Sequence, residues 1–193
     1  MERVVARDPK HGQQRIDEAL GFAWRNRVLE EPLIRYLHDH LAGARFAVAL
    51  LNDLSEQETF AEVRTASRDL LPNVEQDRLV LERLAAEFGD ETNVVKEGLA
   101  WLAQKAGKVK LRMADRAGVY EAVELLSLGV LGKLALWNTL IELAGESRLA
   151  HLDLDALCQE ATRQHGELEK LRRGLAVKTF GRDSTSRDAR QER

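Results

Sequence analysis

Apolar residues recur at intervals of three and four through four long stretches of this chain, 31–55, 58–88, 119–145 and 154–178, and no other feature limits its fold as strongly. In the first of them Leu33, Leu37, Ala44, Ala47, Val48 and Leu51 share one helical face. Strands would need apolar residues at alternate positions and a larger supply of aromatic side chains, and aromatics make up only 5% of the sequence. The pattern predicts an all-α protein, an up-down bundle of four long helices with a longer crossing connection.

The boundaries follow from punctuation. Residues 1–27 form an N-terminal segment in which Ile16, Leu20, Ala23 and Trp24 are spaced as a short amphipathic helix. The bundle domain spans 28–180. Pro32 is expected at the start of its first helix, behind two acidic residues that suit the positive helix end. Pro72 is expected to kink the second helix or cut it in two, because its ring clashes with the preceding turn and it has no N–H; Gly89 should end that helix. "VVKEGLAWLAQKAG" (94–107) reads as an additional short helix, followed by a basic connection with Lys108, Lys110, Arg112 and Arg116. The 119–145 stretch is apolar on nearly all sides, which predicts a central helix, with Gly129 and Gly132 allowing a neighbour close. Asp153 or Asp155 should cap the last helix. Residues 181–193 read as a disordered tail.

A net charge of −3 provides no basic field for nucleic acid. Lys133 and two glycines interrupt the most apolar region, which favours a buried helix over a membrane span. The single cysteine, Cys158, and a start without a secretory apolar core point to the cytoplasm.

Placing each long helix on a wheel leaves one polar side chain inside each apolar stripe: His40, then Asp77 among Leu70, Val74, Leu81 and Leu84, then Lys133 between Val130 and Trp137, then Gln164 between Ala161 and Leu168. An acid and a base that both point inward can pair and avoid the large cost of isolated buried charge. Asp77 and Lys133 are expected to form such a pair, with His40 and Gln164 as hydrogen-bonding neighbours. His38, two residues from His40, points about 200° away on a helix and is expected to be exposed.

"YLHDHLAGA" (36–44) and "LGVLGKLALW" (128–137) resemble stretches of the ferritin-like superfamily, in particular bacterial members without an assigned activity, and the resemblance covers roughly Glu30 to Phe180. It implies a four-helix bundle. The di-iron members of that superfamily use a glutamate from each of two helices and a Glu-x-x-His pair from each of the other two. Glu-x-x-His does not occur here: the residues three before the five histidines are Asp8, Arg35, Leu37, Arg148 and Thr162. Asp8 precedes Pro9 and reads as a helix cap.

These observations lead to a non-catalytic binding or assembly module with a buried polar cluster of His40, Asp77, Lys133 and Gln164, no favoured cofactor, and a protein partner or second copy as the expected companion. The alternative is an iron or manganese protein with an atypical site of His40, Asp77, Glu124 and Glu167. Against it, Glu124 lies opposite Lys133 on its helix, and a lysine aimed at the centre repels a metal cation. A cavity for a small anionic ligand paired with Lys133 is a third reading. Cys158, with no imidazole or acid placed beside it, reads as a packed side chain rather than a nucleophile.

Overall fold

The computed structural model describes residues 9–89, 115–143 and 147–181, with side chains from residue 31 onward. The described residues form four long α-helices and one short 3-10 helix, with no strand among them. We label the helices α1 (Pro9–Glu56), α2 (Ala61–Phe88), α3 (Arg116–Glu142) and α4 (Leu154–Phe180); Ser147–Leu149 is the 3-10 turn. None is long and apolar enough to cross a membrane. The short helix expected at 94–107, the connection from Lys108 to Arg112, Asp8 and the tail from residue 182 lie outside the described residues.

One expected helix boundary is overturned. Pro32 sits inside α1 rather than at its start. Of the two outcomes expected at Pro72, a kink or a cut, the cut does not occur: α2 runs from Ala61 to Phe88 as one helix. The physical reason is exposure: both Pro72 and Arg68, whose carbonyl loses its helical donor, face solvent, where an unpaired carbonyl costs far less than in the core. Gly89 ends α2 as expected, with φ at +133°, a backbone conformation that favours glycine. Asp115 and Asp153 cap α3 and α4, accepting from the amides of Gly118 at 2.7 Å and Ala156 at 2.9 Å.

Bonds between helices give the topology. Arg45 donates to Glu82 at 2.6 Å and His38 to the Gly89 carbonyl at 3.0 Å, so α1 and α2 are antiparallel. Arg172 donates to Tyr120 and Cys158 to Asn138, so α3 and α4 are antiparallel as well. Lys178 pairs with Glu62 while Gln164 meets Asp77, which sets α4 antiparallel to α2. It follows that α2 and α3 run parallel, and Phe88 and Arg116 lie at opposite ends of the bundle.

The core is continuous along both hairpins. Leu37, Leu51, Leu54, Leu84, Leu136, Trp137, Leu140 and Leu175 are no more than 1% exposed. Each such leucine contributes roughly 1.5–3 kcal/mol of apolar burial. α3 departs from its expected role as a helix covered on all sides. Leu128 is 59% and Leu131 40% exposed, and a Cβ at Gly129 would meet nothing within 4 Å, so no neighbour uses that glycine for close approach. Gly132 does have a neighbour, the His40 ring at 4.0 Å. α3 is held closely by α4 and only loosely by α1, and its free side opens onto a cavity.

Candidate functional site

Halfway along the bundle the side chains of α2, α3 and α4 meet in a polar cluster. Lys133 Nζ donates to Asp77 Oδ2 and to Gln164 Oε1. Gln164 Nε2 closes the triangle to Asp77 Oδ2 at 3.1 Å and also donates to Glu160 at 2.9 Å. Gln164 is fully buried and Asp77 is 6% exposed. Burial pushes the Lys133 ammonium below the ordinary lysine range, while the Asp77 carboxylate and then Glu160 pull it back toward the charged form. Three helices are thereby fixed in register by one charge pair and one amide.

His40 is the exception within the expected cluster. Its ring packs edge-on against Tyr36, with centroids 4.5 Å apart, and makes no hydrogen bond among the described residues. It is partly buried at the cavity wall, and that burial lowers its pKa against a smaller opposing pull from Asp39, so the ring is neutral at pH 7. His38, expected to be exposed, is instead 8% exposed and donates from Nε2 to the carbonyl of Gly89, because the end of α2 folds over it. Helical spacing sets the direction of a side chain around its own axis, and a neighbouring element covered this one from outside the apolar stripe.

The residues of the alternative metal set do not converge. Glu167 is half exposed and paired with Arg163 one turn away. Glu124 is half exposed and lies 3.6 Å from Arg172. Glu124 and Lys133 border the same cavity but are well separated along α3, since nine residues correspond to about 13 Å of axial rise. Among the described residues no group of three or more His, Cys, Asp or Glu side chains is placed to hold a metal ion. At mid-bundle, where a di-iron bundle gathers carboxylates and imidazoles, this chain has an aspartate, a lysine and an amide, and that donor set does not fit a di-iron centre.

The cavity has a volume of about 850 Å³. Gly43, Ala44 and Ala47 of α1 form one wall and Leu125, Gly129 and Val130 of α3 the other; His40, Asp77, Glu121, Glu124 and Lys133 supply its polar groups. Its size lies within the range of small-molecule sites, roughly 300–1,000 Å³. Trp137 is fully buried, and its indole N–H has no hydrogen-bond partner.

A second polar network was not read from the sequence. Ser127, 3% exposed, donates from Oγ to Glu169 at 2.8 Å and lies 3.1 Å from His165 Nδ1. Arg172 holds Glu169 and also donates to Tyr120 at 2.6 Å. The hydroxyl has one proton, which Glu169 accepts, so His165 Nδ1 must donate to Ser127 and cannot act as its base. Arg172, and then Ser127, hold the Glu169 carboxyl down to about 2, too low for a base at neutral pH. The available signal was the spacing of His165 and Glu169, one turn apart on the side of α4 that meets Ser127. Cys158 is partly buried, and burial followed by Asp155 raises its thiol pKa, the reverse of nucleophile activation.

No family model, no curated protein and no solved structure matches this chain.

Proposed function

We propose that this chain is a cytoplasmic ferritin-like bundle in which a buried polar network stands in the place of a di-iron centre, and that it acts as a non-catalytic binding module whose ligand enters the cavity between α1 and α3. The parallel arrangement of α2 and α3 supports the ferritin-like reading, since that fold has one long crossover between two antiparallel hairpins. The observation that carries the function is the position of Lys133. Its ammonium lies at mid-bundle, bonded to Asp77 and Gln164, on the wall of an 850 Å³ cavity that is otherwise mostly apolar. A cation fixed there repels a metal ion, while the apolar walls favour an organic guest.

Titration with Nile red, an apolar fluorophore, tests this reading. The expected result is a single saturable site that disappears in the Gly43→Leu, Gly129→Leu double variant. A Cβ at either glycine meets nothing within 4 Å, so each new side chain starts from open space on the cavity wall. Absence of saturable binding, or equal binding by the filled variant, would overturn the proposal. So would stoichiometric retention of iron(II) or manganese(II) that is lost on substitution of His40 and Asp77.

A further inference from the structure

The outer row of α3 runs Glu121, Leu125, Leu128, Gly132, Ala135 and Thr139, alternately four and three residues apart, which is the spacing of a coiled-coil seam. It extends over about 27 Å of helix. Leu128 is 59% exposed, Glu121, Ala135 and Thr139 are also exposed, and Leu125 and Gly132 are half-buried. Between Leu125 and Ala135 this row carries no charge, since Lys133, the one charged residue of that stretch, turns inward to Asp77. The outer row of α4 differs: exposed Arg163, Glu167, Lys170 and Arg173 keep it solvated. The order of residues along the α3 row, leucines in its first half and small residues in its second, restricts what can cover it.

From this pattern we infer that a second copy of the chain docks on α3, the two α3 helices lying antiparallel about a two-fold axis at the level of Val130. An isologous contact needs a surface complementary to itself, and in this register the row is. Leu125 lies opposite the partner's Ala135 and Leu128 opposite the partner's Gly132, and the symmetry repeats both layers, so each leucine meets a small residue and the helices approach closely. Charge agrees with the same register: Glu121 falls opposite the partner's Thr139 and Glu124 opposite the partner's Asn138. Beside the row Leu131, 40% exposed, meets its own counterpart near the axis. A parallel copy would set leucine against leucine, leave a gap where Gly132 faces Gly132, and bring the two Glu121 carboxylates together. Leu125 and Leu128 also line the cavity, so the second copy stands at its rim. The inference does not depend on what the cavity binds.

Sedimentation equilibrium of the full chain tests the contact, and cysteine pairing tests its register. We expect a dimer at about 100 μM chain, a concentration that populates even a weak micromolar interface. Leu128→Glu and Ala135→Glu should each weaken it by about a hundredfold or more, because each buries a carboxylate in the seam. Both positions are exposed in the single chain, so circular dichroism of the two variants should keep the native helix content. In a Cys158→Ser background, Leu131→Cys should cross-link to itself under mild oxidation. Leu125→Cys and Ala135→Cys should each fail to do so alone and should cross-link when mixed. A native chain that stays monomeric at that concentration overturns the proposal, as does a dimer that both glutamate variants leave unchanged. Self-cross-linking of Leu125→Cys, with none between Leu125→Cys and Ala135→Cys, overturns the antiparallel arrangement. Nile red binding by a monomeric chain would leave the cavity reading standing while removing this one.

Discussion

Removal of one member of the Asp77–Lys133 pair should be far more damaging than removal of both. In Asp77→Leu, the Lys133 ammonium keeps only Gln164 as an acceptor within a site where its own side chain is 14% exposed. In Lys133→Met, the Asp77 carboxylate, 7% exposed, keeps only the Gln164 amide at 3.1 Å. Each single change strands a largely buried charge and should cost roughly 3–5 kcal/mol. The double variant strands none. Gln164 Nε2 retains Glu160, and the chief loss is the partner of Gln164 Oε1, about 1–3 kcal/mol. If the singles sum to about 6–10 kcal/mol and the double costs about 1–3, the coupling is at least about 3 kcal/mol. Urea melts of the four proteins in chelator, with unchanged m-values, measure it. Additive effects would refute the buried-pair account. Recovery of the native stability by added iron in any variant would also contradict it.

Two further predictions concern the second helix and the second network. Pro72→Ala should stabilise the protein by about 2 kcal/mol, because it restores the hydrogen bond that the backbone N–H of residue 72 donates to the Arg68 carbonyl in a helix that is continuous even without that bond; a loss of stability in the same urea melt would show that the proline shapes α2. Glu169 is held at about 2 by Arg172 and Ser127 against an ordinary value of 4.5, so its ionised form favours the folded state. That contribution is present above pH 4.5 and fades as the pH falls toward 2. Acid titration of the fold should therefore be shallower in Glu169→Gln, and an unchanged profile would reject the linkage.

Much of this molecule was written in its periodicity. The spacing of leucine and valine determined four helices, and it singled out Asp77, Lys133 and Gln164 as polar residues within apolar stripes, because a 3.6-residue repeat fixes the direction of each side chain around its own axis. Gly89 as a helix end and Asp153 as a cap were equally local, since each depends on the backbone chemistry of one residue. What periodicity does not contain is the distance between helices or the identity of the element opposite. Only the tertiary structure decided that α1 stands off from α3, which left Leu128 and Gly129 open, made a cavity of the seam and gave His40 a tyrosine edge instead of a hydrogen bond. It also decided that the end of α2 covers His38, that Ser127 meets Glu169, and that α2 runs on through Pro72 where the sequence alone left a kink or a cut open. Those outcomes depend on packing between segments far apart in the chain, where no local pattern reaches.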